Sequence, residues 1–300
     1  MTLDQLRIFV AVAEREHMTL AAQTLNLTQS GVSAAVSALE ATCSTPLFDR
    51  VGRQIRLTEA GRVFLGEARA VLARVESAQR ALAEVDDLRR GTLQVQSSKT
   101  IATYWLPQRL AKFRKMYPQI RVQVGIDNTT NVAKSVIDGM AEVGFVEGTV
   151  NAPQLRQHVI GHDQLIVIVS SKHPWAKRKR VPPEELTQLQ WILREPGSGT
   201  RAMLESALDN YGVVPSALDV MLELPSNEAI RATVEAGIGA AAVSHLVAKE
   251  GLANGRLARL PIKLPRRSFS MLCHRERYRT KMARALLMMI NPAGPPPDAT

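Results

Sequence analysis

The sequence predicts an α/β protein in three parts: a winged helix-turn-helix over residues 1–58, a coiled-coil helix over 59–90, and an α/β region over 91–300. Three observations carry that division. Residues 25–40, LNLTQSGVSAAVSALE, read as a tight turn leading into a helix whose outer face is small and hydroxyl-rich. Between Phe64 and Val85 the apolar residues alternate steps of four and three. Beyond residue 92 a strand, a Ser/Thr-rich loop and a helix recur in that order twice, in VQSSKTIATYWLPQRL and in WILREPGSGTRAMLESAL.

The first helix shows an apolar stripe at Leu6, Phe9, Val10 and Ala13, and Thr19 is placed to cap a second short helix through Ala21, Ala22 and Leu25. Asn26, Leu27 and Thr28 form a three-residue connection to a third helix. There Val32, Val36 and Leu39 face inward at helical spacing, while Gln29, Ser30, Ser33, Ala34 and Ser37 face out. An ordinary solvated face carries Lys and Glu, but this one carries short side chains. A helix lying in the DNA major groove needs such a face. It gives close approach, hydroxyls and an amide for phosphates and base edges, and a small apolar residue, Ala34, for a thymine methyl. Thr28, as N-cap, leaves the helix N-terminus aimed at the backbone, where its partial positive charge favours a phosphate. After Pro46-Leu47-Phe48, the alternation of Val51, Ile55 and Leu57 around Gly52 predicts a two-stranded hairpin, and its arginines, Arg50 and Arg53 among them, suit it as a wing on the phosphates or in the minor groove. The competing reading is a small helical bundle used for protein contact, a surface that more often shows aromatics.

Phe64, Ala68, Val71, Val75, Ala78, Leu82 and Val85 make the heptad seam of a coiled coil, and the seam predicts a homodimer. Thr58 caps the start, Arg89 and Arg90 suit the negative end, and Gly91 is a natural stop. The alternative is a helix folded back on its own domain.

From residue 92, strand-like runs at 93–96, 120–126, 143–147, 165–170, 191–193, 240–244 and 269–273 alternate with helical stretches at 104–116, 130–139 and 201–211. The two repeated loops each bring free backbone N–H groups and hydroxyls to a helix N-terminus, a ready site for an anion. Ligands of open α/β sheets bind at the carboxyl ends of strands, where both loops lie. If two lobes face each other, Thr100 and Thr200 meet across one cleft. Either threonine alone reads equally well as a plain helix cap.

Composition sets the outer limits. With 45% hydrophobic residues in 300, each of two or three domains can bury a core. The formal charge of +10 points to an anionic partner, yet residues 1–58 hold as many acids as bases. The densest basic runs, KRKR at 177–180 and RERYRTK at 275–281, lie far downstream and read as solvated faces. Asp4 and Arg7 stand where a signal peptide needs an apolar run, and the run from Ile238 to Val247 is too short to span a bilayer. A cytoplasmic protein with no membrane partner and with Cys43 and Cys273 reduced is expected.

Catalytic motifs do not assemble. Gly197-Ser198-Gly199 lacks the spacing of a nucleophile elbow, and Gly237-Ile238-Gly239 with Ala242 follows a helical stretch, so it reads as close packing rather than a dinucleotide loop. His158 and His162, four residues apart, could face one way only on a helix, and VIGHDQ, which follows His158 and holds His162, reads with its Gly as a loop, so no metal site is expected there. No enzyme, cofactor or metal is expected.

MTLDQLRIFVAVAEREHMTLAAQTLNLTQSGVSAAVSALEATCSTPLFDRVGRQIRLTEAG resembles the winged-helix domain of LysR-type transcriptional regulators over its whole length. The motifs that carry the resemblance are LDQLRIFVAVAE, the central TLAAQTLNLTQSGVSAAVSALE, and PLFDR followed by LTEAG. The branch it resembles includes regulators of sulfur assimilation and carbon fixation. Cys43 departs from the family pattern and reads as helix-end packing rather than redox sensing. The resemblance implies a bacterial transcription factor on double-stranded promoter DNA, a homodimer or homotetramer with RNA polymerase as a further partner. For residues 91–300 it implies a two-lobed effector-binding domain like a periplasmic binding protein, with lobe I over about 91–161 and 266–292 and lobe II over about 162–265. The corresponding loops would grip a small anion or organic acid. The cleft residues it implies are Ser98, Lys99, Thr100, Asn128, Thr129, Glu147, Ser198, Gly199, Thr200, Arg201, Asn227 and Glu228. An architectural DNA-binding protein without effector, and an enzyme on an α/β core, are the alternatives.

Overall fold

The computed structural model describes residues 1–51, 54–83 and 91–290. The chain divides into two compact units, Met1–Asp87 with Ile137–Met140, and Leu88–Val136 with Ala141–Thr300.

The first unit begins with α1 (Leu3–Arg15), α2 (Met18–Leu25) and α3 (Gln29–Cys43). Thr2 and Gln5 close a reciprocal capping box on α1. The second helix is capped by His17, whose Nδ1 accepts from the Leu20 amide, and not by Thr19, which lies inside its first turn. Glu16, Asn26 and Ser44 end the three helices in the left-handed region without glycine, at φ 46°, 55° and 49°. Strands β1 (Phe48–Val51) and β2 (Gln54–Leu57) pair antiparallel as the expected hairpin. Glu40 anchors the hairpin by accepting from the Leu47 and Phe48 amides. Then comes α4 (Glu59–Ala83), with the Thr58 hydroxyl accepting from the Gly61 amide.

The expected seam of α4 is corrected at its start. Phe64 and Ala68 pack into the core with Leu6, Phe9, Ala13, Leu39 and Leu47, and the Phe64 ring meets Phe9 edge-on at 5.1 Å. Arg69 pairs with Glu14 of α1. The first turns of α4 are therefore held by their own domain, while Val71 stays 44% exposed. Val85 lies outside the described residues. Cys43 packs against the same core, as expected of a helix-end residue.

The second unit runs β3 (Gly91–Ser98), a π-helical turn (Ile101–Trp105), α5 (Leu106–Met116), β4 (Ile120–Asp127), α6 (Thr129–Ile137), β5 (Val143–Glu147) and β6 (Leu155–Ser170). It continues through β7 (Gln190–Leu193), α7 (Gly199–Asn210), β8 (Asp219–Glu223), α8 (Asn227–Glu235), β9 (Ala240–Ser244), α9 (His245–Ala253), β10 (Leu257–Arg259), β11 (Arg266–His274) and α10 (Lys281–Ile290). The strand order is β4-β3-β5-β11-β6-β9-β7-β8, with β10 on β6. Parallel pairs β3/β4 and β3/β5 build one lobe, and β7/β8 and β7/β9 the other. Two long antiparallel strands, β6 and β11, belong to both. The lobes have separate cores: one around Phe113, Phe145 and Phe269, the other around Trp191 on one sheet face and Ile230 on the opposite face.

VIGHDQ is the middle of β6, not a loop. Its glycine sits opposite a register shift between Phe269 and Ser270, and Trp105 covers it so closely that a Cβ would lie 3.4 Å from the indole nitrogen. A buried crossing strand can use a glycine where a sequence pattern reads a breaker. Gly239 is packed as expected, since a Cβ there would come within 2.7 Å of the Gln190 carbonyl.

Candidate functional site

Two surfaces carry chemistry, one in each unit. In the first unit, Asn26 turns the chain by donating its amide to Ala22 and Gln23 carbonyls, and Leu27 also donates to Ala22. Thr28 then caps α3 by accepting from the Gly31 amide at 3.1 Å. Val32, Val36 and Leu39 are fully buried, so the opposite face is fixed outward. Thr28, Gln29, Ser30, Ala34 and Ser37 are exposed on it; Ser33 is half-buried, turned partly toward the core edge. In the hairpin, Arg50 lies opposite Ile55, and Arg53 lies outside the described residues.

In the second unit the two repeated loops follow β3 and β7. Each of these strands has its neighbours on opposite sides, so both loops open at a point where the strand order reverses. Thr100 and Thr200 come together there, joined by a residue the sequence reading missed. The Arg267 guanidinium is wholly buried and donates to Thr200 Oγ1 at 2.9 Å and Thr100 Oγ1 at 3.4 Å. Its charge is balanced by Asp163, at 2.7 Å, which also accepts from Ser244. Arg267 and Asp163 are direct cross-strand partners on β11 and β6, the strands shared by the lobes. Removing one member of such a buried pair costs about 3–5 kcal/mol, because it strands the other charge.

Around this centre Asn227 donates to Thr100 Oγ1 at 3.0 Å and accepts from Arg194 at 2.6 Å. Arg194 also grips Glu195 with two nitrogens, at 2.7 and 2.8 Å. Burial would raise the Glu195 carboxyl, but the Arg194 fork, together with Lys99, holds it down at about 2. Lys99 is committed to Glu195 and the Pro225 carbonyl, so it ties the lobes together. Tyr104 donates to Glu228 at 3.1 Å, and burial together with that carboxylate pushes its phenol up to about 12.

The remaining expected residues divide clearly. Asn128 donates to Pro196, and the Thr130 amide donates to Gly197, both bridging the lobes. Thr129 donates to buried Glu147 at 3.4 Å. Ser98 is buried with a hydroxyl that has no partner. Ser198 begins α7 without a capping hydrogen bond, and Gly199 lets α7 approach Glu147. Arg201 is turned away, to Glu205, Glu223 and the Arg194 carbonyl, and these carboxylates raise its pKa. Three cations, Lys99, Arg194 and Arg267, stand among the carboxylates of Asp163, Glu195, Glu147 and Glu228, so the cleft carries no excess of cations and neutral donors decide what it attracts. Thr100 makes no capping bond and Thr200 spends its acceptor on Arg267, so neither is a plain helix cap. Among the described residues no His, Cys, Asp and Glu group can hold a metal ion, and no helix is long and apolar enough to cross a membrane.

Arg267, Asp163 and Arg194 left faint marks in the sequence: charged residues set at the edges of apolar runs. Nothing in the sequence pairs positions 163 and 267, which only the strand register brings together.

Comparison with known proteins extends the geometry. Residues 3–62 match the bacterial regulatory helix-turn-helix protein model of the lysR family, and residues 86–294 match the LysR substrate binding domain. A Synechocystis sp. PCC 6803 protein named "Probable RuBisCO transcriptional regulator" is 34% identical, covering 97% of this chain and 86% of its own. The structure of full-length CbnR complexed with target DNA is 22% identical with a TM-score of 0.65, covering 98% of this chain and 100% of that one. The Synechocystis PCC6803 CcmR regulatory domain in complex with 2-PG is 24% identical with a TM-score of 0.62, over 68% of this chain and 97% of its own. These relatives are regulators and not enzymes. The chain therefore belongs to the LysR family of bacterial transcriptional regulators, with a helix-turn-helix that binds DNA and an α/β effector-binding domain.

Proposed function

We propose that this regulator binds promoter DNA as a homodimer or homotetramer through the exposed face of α3, and that a small anion or organic acid bound between the lobes modulates that binding. One observation carries the effector reading. Thr100 and Thr200 both accept from buried Arg267, so each keeps its own O–H to donate, and two hydroxyl donors on facing lobes suit an acceptor-rich ligand. The partnerless Ser98 hydroxyl and the uncapped start of α7 supply further donors of the same kind. The 2-PG held by the CcmR regulatory domain is a ligand of that character. Effector release or capture would act through β6 and β11, the strands both lobes share. RNA polymerase is a further partner of the DNA-bound regulator.

Nuclease footprinting tests the reading. Wild type is expected to protect a promoter segment whose extent changes on adding 2-PG, phosphate or sulfate. Ala34→Glu, which sets a carboxylate on the exposed α3 face, should abolish that footprint while the protein melts as wild type does. An unchanged footprint in Ala34→Glu removes α3 from the interface. A footprint indifferent to every anion favours a DNA-architectural protein.

A further inference from the structure

The formal charge of this DNA-binding chain lies away from its DNA-reading helix. Residues 1–90 hold eleven Lys and Arg against eleven Asp and Glu, so the full +10 falls in residues 91–300. Protein affinity for duplex DNA rests largely on cations that neutralise phosphates, and a charge-balanced head supplies few in excess.

Within the charged region, residues 164–183 contain five cations and no carboxylate: Lys172, Lys177, Arg178, Lys179 and Arg180. They lie on the loop between β6 and β7, and the loop is built rather than loose. The His173, Ala176 and Arg178 amides donate to Ser170, His173 and Trp175 carbonyls at 2.9–3.0 Å, and the Trp175 amide donates to His173 Nδ1 at 3.1 Å. Burial, with Arg178 nearby, lowers the His173 pKa, which keeps the imidazole neutral and able to accept. Trp175 and Val181 are buried in the lobe II core, and Arg178 stacks on the Trp175 ring at 4.1 Å while pairing with Glu185. Lys172, Lys177, Lys179 and Arg180 are exposed, and none forms an ion pair among the described residues. Four cations are thus displayed from one ordered backbone, which lowers the entropy lost on binding.

We propose that the 171–181 loop is a second DNA contact, made to phosphates of the duplex outside the segment read by α3. Its chemistry selects DNA over a protein partner. The aromatic residue that would anchor a protein interface, Trp175, is spent on the core, leaving charge without an apolar centre. A second copy of the chain presents the same positive sign.

The test uses the full chain with Lys172→Gln, Lys177→Gln, Lys179→Gln and Arg180→Gln together. Affinity is measured against salt on a duplex limited to the α3 footprint and on one extended by about two helical turns, about 20 base pairs, at each end. Each phosphate contact adds about 0.9 to the salt slope, so on the long duplex the variant should lose about 2 to 4 from the slope and bind at least about tenfold more weakly near physiological salt. On the short duplex it should match wild type, and Arg at all four positions should restore the long-duplex slope. Unchanged affinity and slope on the long duplex overturn the proposal, as does an equal loss on the short one. If the fourfold variant melts early, Lys177→Gln with Lys179→Gln is read by the same two outcomes.

Discussion

At Gly199 the two lobes approach closely. A Cβ there would lie 2.7 Å from Thr129 Oγ1 and 2.8 Å from the Glu147 carbonyl oxygen, and the second of these is backbone that cannot swing aside. Gly199→Ala should therefore leave both cores folded but hold the lobes apart. The Thr130 amide, which donates across the cleft to Gly197, reports this directly. Its hydrogen exchange should accelerate at least about tenfold in the variant, and unchanged protection would mean the cleft tolerates the extra methyl. Tyr104 offers a second reading of closure. Its phenol is raised from 10 to about 12 by burial and by Glu228, so the protonated form favours the closed arrangement. That contribution is complete below pH 10 and lost as pH rises through about 12. The difference in ultraviolet titration between wild type and Tyr104→Phe should show a phenol ionising near 12, and Glu228→Gln should move it down toward 10. A midpoint near 10 in wild type would contradict the Tyr104–Glu228 bond.

At the scale of elements, α4 shows how an apolar seam can serve two masters. Phe64 and Ala68 are spent on the head's core, with Leu72 packed against it, whereas Val71 is 44% exposed and is the seam position open to the partner helix of the proposed oligomer. Val71→Asp should leave the head folded yet bury like charges between paired helices, converting the oligomer to a monomer in sedimentation. A wild-type oligomer in that variant would place dimerisation elsewhere. The periodicity that revealed α4 could not apportion its residues, because intra-domain and inter-chain packing reward the same apolar positions. The helix-turn-helix was legible for a firmer reason: Val32, Val36 and Leu39 fix one face, and Asn26 and Thr28 fix the turn, all within a short stretch. Strand β6 was legible only in its apolar half, since Gly161, His162 and Asp163 imitate a loop while serving a crossing strand. Strand β8 escaped notice because its residues are exposed on both faces and carry no alternation.

Across the whole effector-binding unit, the pairing of Thr100 with Thr200 was readable from two repeated strand-loop-helix patterns, whereas Arg267 and Asp163 required the register of β6 against β11. In the proposed function both threonines serve one anion site. Full-length wild type should melt higher with at least one of phosphate, sulfate or 2-PG, since a ligand bound only by the native state adds stability. Thr100→Val and Thr200→Val each remove a hydrogen bond to a charged group, worth about 1.5–3 kcal/mol, so either should weaken binding roughly ten- to a hundredfold. The double variant should lose less than the sum, because a ligand freed from one lobe gains little from the other. The decisive measurement is thermal melting against anion concentration for wild type, both single variants and the double. A shift in wild type that falls sharply in each single variant, with a less-than-additive double, is the predicted result. Shifts that survive both substitutions, strictly additive losses, or no shift with any of the three anions would contradict a shared anion site.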